Sequence, residues 1–143
     1  YPNTDRGSSL IIDAIEKFSR SYTYGVCVLK NAGTKLFTNL IANVDALVGN
    51  SSSAVVEAPS FKLPAVNIGI RQEGKLKAGN IIESGYRADE IGAAIDLALS
   101  QEFRDSLKDL INPYGDGMAG PRIAAILAKT ELDSDLLRKK FND

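Results

Sequence analysis

Apolar residues recur along this chain in two rhythms. Leu10, Ile11, Ala14, Ile15 and Phe18 follow helical spacing behind Ser8 and Ser9, either of which can cap the helix. Leu36, Phe37, Leu40 and Ile41 repeat the pattern behind Thr34 and predict a short helix through Ala42. Ala88-Asp89-Glu90 leads a strong helix over Ile91 to Leu99, with acids where the helix dipole favours them. Gln101 to Leu110, Pro121 to Lys129 and the charged tail from Glu131 to Asp143 predict three more. Between these lie short, continuously apolar runs: Tyr24 to Leu29, Asp45 to Gly49, Pro64 to Gly69 and Asn80 to Ile82. Each reads as a strand, and Pro64 opens its run, where no ladder donor is lost. Ser53 to Ala58 predicts a short helix stopped near Pro59, and Pro113 to Gly117 is a turn cluster. Continuously apolar strands that alternate with helices indicate an α/β fold built on a parallel sheet with flanking helices.

Composition narrows the function classes. A chain of 143 residues suffices for one domain with a real core. A net charge of −1 gives no global attraction to nucleic acid or to an anionic membrane, so neither is an expected partner. No apolar run approaches the roughly 18 residues of a membrane span. The single cysteine, Cys27, excludes an intrachain disulfide and suits a reducing, cytoplasmic compartment. Lying in an apolar run, it is expected to be buried. With no histidine, the chain holds no Ser-His-Asp or Cys-His catalysis of its own and no His-based metal site, and neither a metal nor a cofactor is expected. Tyr1 to Asp5 is not a signal peptide, and the chain reads as if cut from something longer.

The candidate chemistry lies between Gly49 and Arg71. Gly49 closes a strand, and Ser51, Ser52 and Ser53 place hydroxyls beside the free N–H groups of a helix entry, where phosphate gains several donors at once. Three serines there are also consistent with simple capping. The segment is neither a Walker A loop nor a G-x-G-x-x-G turn. Glu57, inside that helix, can accept two hydrogen bonds from a vicinal diol such as ribose, or it is a solvated helix carboxylate. Arg71 follows the Pro64 to Gly69 strand, at the sheet edge where open α/β folds bind ligands. It suits a phosphate, or it belongs to a solvated basic loop.

Six segments together carry a resemblance. They are Tyr1-Pro2-Asn3-Thr4-Asp5, Val48-Gly49-Asn50-Ser51-Ser52-Ser53, Glu57-Ala58-Pro59-Ser60-Phe61, Pro64-Ala65-Val66-Asn67-Ile68-Gly69, Arg71-Gln72-Glu73-Gly74 and Asn112-Pro113-Tyr114-Gly115-Asp116-Gly117. In this order they resemble the C-terminal portion of the hydrolysing UDP-N-acetylglucosamine 2-epimerases, a family that feeds sialic-acid-type sugar synthesis. The resemblance implies a GT-B fold of two Rossmann-like domains. Residues 1–130 would be an incomplete C-terminal nucleotide-binding domain, lacking its first strands, and residues 131–143 a helical tail. It further implies that Ser51 and Ser52 contact the diphosphate and Glu57 the ribose. Arg71 would lie at the nucleotide site, Asn3 near phosphate or sugar, and the backbone near Ala32 at the uracil. UDP and a UDP-sugar would be the ligands, with the missing N-terminal domain and a second copy in a homodimer as partners.

The implied reaction removes UDP by elimination across C1 and C2 and then hydrates the intermediate to N-acetylmannosamine. Its acid and base groups, and a histidine that helps the diphosphate leave, are not in this chain, so no catalytic residue is expected here. Two departures stand out. Relatives carry Arg where Lys75 stands, which weakens a bidentate role but keeps the charge. The family's strands before the Pro-Asn motif are also absent, which leaves Tyr24 to Leu29 without a partner. Two other readings are the donor half of a GT-B glycosyltransferase and a nucleotide-sugar-binding module without turnover.

Overall fold

The computed structural model describes residues 6–22, 24–134, 136 and 138. They form two compact units, Tyr1–Val44 and Asp45–Asp143.

The first unit holds α1 (Ser8–Ser21) and α2 (Gly33–Ile41). Gly7, at φ 91°, provides the N-cap of α1 in place of the expected Ser8 or Ser9, and Ala32 rather than Thr34 precedes α2. Helix α1 has no buried residue. Leu10, Ile11 and Phe18 instead line an open apolar groove with Val26 and Val28. The two valines share that groove because alternate residues of an extended chain point the same way. Residues 24–29 nevertheless form no strand. A strand exists only through ladder bonds to a neighbour, so apolar content alone does not make one here. Cys27 is accordingly exposed, against the expectation of burial.

The second unit is built on three parallel strands in the order β1-β2-β3. They are β1 (Leu47–Gly49), β2 (Ala65–Ile68) and β3 (Ile81–Ser84). Strand β2 is central, and Ala65, Val66 and Asn67 are all buried. Such two-sided burial explains why the run reads as apolar but for Asn67. On one face Val66 packs with Ala94 and Ala98 of α4 (Ala88–Leu99), flanked by Ile68, Ile82 and Ile95. The small residues of α4 let its backbone come close to the sheet. The connection from β1 to β2 runs through α3 (Ser53–Val56) and a 3₁₀ turn (Ala58–Phe61). The expected helix to Ala58 is cut because Pro59 has no N–H to continue the ladder.

Helix α5 (Gln101–Ser106) is shorter than expected and ends at the buried Leu107, while Ser100 caps it by accepting a bond from the Phe103 N–H (3.2 Å). Helix α6 (Ala119–Lys129) follows the turn cluster. Of the helix expected over 131–143, residues 131–134, 136 and 138 are described and carry no helix, and the rest lies outside the described residues. The chain is thus α/β, with a parallel open sheet flanked by helices, the architecture of a partial Rossmann-like domain. No helix among the described residues is long and apolar enough to cross a membrane.

Because Ala98 is fully buried between α4 and β2, Ala98→Leu is expected to overpack the helix–sheet contact. Unfolding in urea should show a loss of about 1–3 kcal/mol, whereas Ala93→Leu on the outward side of α4 should change stability far less.

Candidate functional site

Two turns meet at the C-terminal edge of the sheet. Gly49 closes β1 at φ 150°, a conformation essentially reserved for glycine, and the chain then turns through Asn50, Ser51 and Ser52 into α3. The Ser51 hydroxyl accepts the Ser53 N–H (3.3 Å) and lies 3.2 Å from the Ser53 hydroxyl. One serine therefore caps the turn, while Ser51 and Ser52 both remain exposed at the surface. With only four residues in α3, the helix dipole is small, and donors in the turn itself rather than the dipole dominate any attraction for an anion.

After β2 the chain swings back at Gly69, whose φ is 73°. A Cβ there would meet the Tyr86 ring, and the positive φ disfavours any residue with a side chain. The next turn delivers Arg71 and Gln72. The Arg71 guanidinium donates to the Asn50 carbonyl (3.2 Å), and the Gln72 side-chain amide donates to the same oxygen (2.7 Å). Arg71, fourteen positions past Glu57 in the chain, is thereby held against the serine turn. It is exposed, whereas Gln72 is buried.

Glu57 lies just beyond α3, at its C-cap, rather than inside the helix as expected. Its carboxylate is exposed. The chain on either side of it is tied to Asn112, whose amide donates to the Val56 carbonyl (2.9 Å) and the Ser60 hydroxyl (2.7 Å). The Asn112 side-chain oxygen accepts the Tyr114 N–H (2.9 Å), so one asparagine ties the 112–117 turn to the segment that presents Glu57. Farther along, Asp116 forms a two-pronged pair with Arg122 (2.9 and 2.7 Å), which holds its carboxyl below the usual range.

A second polar cluster lies across β2 and β3. The buried Asn67 amide donates to Glu83 (2.6 Å) and to the Gly69 carbonyl (3.2 Å), and Lys77 pairs with the same carboxylate. Partial burial raises the Glu83 carboxyl, but the bonds from Asn67 and Lys77 and the charge of Lys77 outweigh it and hold it below its ordinary range.

Of the residues singled out from the sequence, Ser51, Ser52 and Arg71 are brought together through Asn50. Glu57 sits at the far end of the same short helix. Ala32 lies in the first unit as the N-cap of α2, and Asn3 falls outside the described residues. Sequence reasoning missed Gln72 and Asn112 as the amides that hold these segments. Both stand in motifs quoted above, but an uncharged side chain gives no signal of burial until its neighbours are known.

The family described as UDP-N-acetylglucosamine 2-epimerase matches residues 1–128. The UDP-N,N'-diacetylbacillosamine 2-epimerase (hydrolyzing) of Legionella pneumophila is 33% identical over 96% of this chain and 35% of its own length. The GDP/UDP-N,N'-diacetylbacillosamine 2-epimerase (hydrolyzing) of Campylobacter jejuni is 32% identical, over 99% and 36% respectively. A UDP-N-acetylglucosamine 2-epimerase of Neisseria meningitidis is 26% identical over the whole chain and 37% of its own length. The chain thus spans about a third of the length of these relatives.

Removing the Asn112 side chain leaves the Val56 carbonyl and Tyr114 N–H without their partner. Asn112→Ala is expected to cost about 1–3 kcal/mol in chemical denaturation. The Glu83 cluster sets an acid dependence. Its folded pKa lies below the unfolded one, so its stabilisation is complete above the ordinary glutamate range and is lost as pH falls through the lower folded value. Glu83→Gln should flatten the slope of melting temperature against pH in that acid window and leave it unchanged near neutrality.

Proposed function

This chain belongs to the UDP-N-acetylglucosamine 2-epimerase family, and on that premise we propose that it is the nucleotide-holding portion of a hydrolysing sugar-nucleotide 2-epimerase. The observation that carries the reading is the Asn50 carbonyl, on which Arg71 and Gln72 converge. It brings a guanidinium to a hydroxyl-rich turn at the C-terminal edge of a parallel sheet, the edge where open α/β folds receive ligands. A diphosphate at this turn takes donors from Ser51 and Ser52 and charge from Arg71. Glu57 accepts the ribose hydroxyls, Asn3 approaches phosphate or sugar, and the backbone near Ala32 meets the uracil.

In this reading the proton on C2 leaves to a base as the bond from C1 to the diphosphate oxygen breaks, releasing UDP. Water then adds across the resulting double bond, with its oxygen at C1 and a proton at C2 on the opposite face, giving the epimeric free sugar. The residues of this chain hold the leaving group. The acid and base that move the protons lie outside it, in the N-terminal half of a GT-B enzyme that works in the cytoplasm as a homodimer. Residues 1–130 are the nucleotide domain of that enzyme and 131–143 its tail. Coverage of only about a third of each relative supports this division of labour.

The sugar has two candidates. N-acetylglucosamine follows from the family description. A 2,4-diacetamido sugar is supported by the two relatives named for N,N'-diacetylbacillosamine, at 33% and 32% identity against 26% for one named for N-acetylglucosamine. Incubating the parent enzyme with each UDP-sugar, without an acceptor, and identifying the product by mass spectrometry tests both. UDP release that requires an acceptor would instead establish a glycosyltransferase. The 143-residue chain alone should release no UDP. In the parent, Glu57→Ala should weaken UDP binding by about 1–3 kcal/mol in calorimetry, the range for losing hydrogen bonds to a charged acceptor. Unchanged affinity removes the ribose assignment.

A further inference from the structure

Every side chain assigned above to the diphosphate or ribose in the second unit is exposed, so packing does not fix any of them. What ties the turn to the segment after β2 is the Asn50 carbonyl and its two donors. These donors differ in kind. Arg71 is exposed, reaches the oxygen at 3.2 Å, and carries the charge that an anion recruits. Gln72 is 2% exposed, makes the shorter bond of 2.7 Å, and has no charge. The orientation of its amide is set by chemistry, because facing the Asn50 carbonyl with the amide oxygen would oppose two acceptors.

We propose that Gln72 is the positioning residue of this site, holding the Asn50 to Ser53 turn in its ligand-ready shape so that Arg71 can leave the Asn50 carbonyl for the phosphates. The inference rests on the nucleotide reading and adds a division of roles to it. A carbonyl oxygen has two lone pairs, and here one serves a permanent donor and the other a replaceable one. When the guanidinium turns to an anion, the turn keeps its anchor, and little ordering remains to oppose binding.

The surroundings of Gln72 favour this role over a purely stabilising one. Its side-chain oxygen is buried and has no hydrogen-bond partner among the described residues. Burying that oxygen is unfavourable and offsets part of what the amide's bond to Asn50 contributes to the fold. Asn50 is itself exposed, and its carbonyl keeps Arg71 as a donor when the Gln72 amide is lost. Losing the amide therefore costs the shape of the turn more than it costs the fold.

The test is Gln72→Met in the parent enzyme, which keeps length and apolar contact and removes the donor. UDP and uridine are titrated by calorimetry and by NMR, and melting is followed by circular dichroism. The expected result is a loss of about tenfold in UDP affinity, equivalent to about one hydrogen bond, with uridine affinity and melting temperature held or the melting temperature raised. Gln72→Asn, whose amide is withdrawn by one methylene, should behave likewise and serves if the methionine variant does not fold. Equal losses for UDP and uridine, or unchanged UDP affinity in both variants, overturn the role of Gln72 while leaving the nucleotide reading intact. A wild-type parent enzyme that binds no UDP overturns both.

Discussion

Strand β2 is buried along both faces, and the placement of the other elements in the second unit follows from covering it. Val66 and Ile68 need an apolar cover, which α4 supplies with Ala94 and Ala98 at close range. The edges of β2 are satisfied by β1 and β3 in parallel register. Parallel neighbours require crossovers, and those crossovers deliver their turns to one edge of the sheet. The serine turn after β1 and the Arg71 turn after β2 therefore open at the same end.

Covering a central strand also buries polar groups, and the structure answers with amides. Asn80, fully buried, donates to the Ala54 and Leu63 carbonyls and so ties α3 to the start of β2. Asn67 reaches Glu83 across the sheet, Gln72 reaches Asn50, and Asn112 reaches Val56. Each bond joins segments far apart in the chain. A neutral amide can do this inside a protein at lower desolvation cost than a charged side chain. The charged groups, Arg71 and Glu57, are left at the surface, where a ligand can compete for them.

The first unit shows the opposite case. Residues 24–29 have the composition of a strand, yet without a ladder neighbour they form none, and α1 exposes its apolar face. Composition predicts what a segment would do once paired. It does not supply the pair. The same reason undoes the expected burial of Cys27. Local chemistry overrode pattern at smaller scale too: Gly7 rather than a serine stands at the N-cap of α1, and Pro59 turns the end of a helix into a 3₁₀ turn.

The α/β class, the strands at β1, β2 and β3, the helices at α1, α2, α4 and α6, and the family were all readable along the chain. All of these follow from local periodicity or from motifs contiguous in the chain. Its serines, Glu57 and Arg71 were legible as candidates because hydroxyls and charges near a strand end advertise themselves. Only the tertiary structure decided that Arg71 meets the serine turn, that the meeting point is the Asn50 carbonyl, and that Gln72 is buried beneath it. Those facts depend on contacts between residues more than twenty positions apart. No periodicity records such a contact, because it arises from the packing of β1, β2 and their turns and not from any one of them.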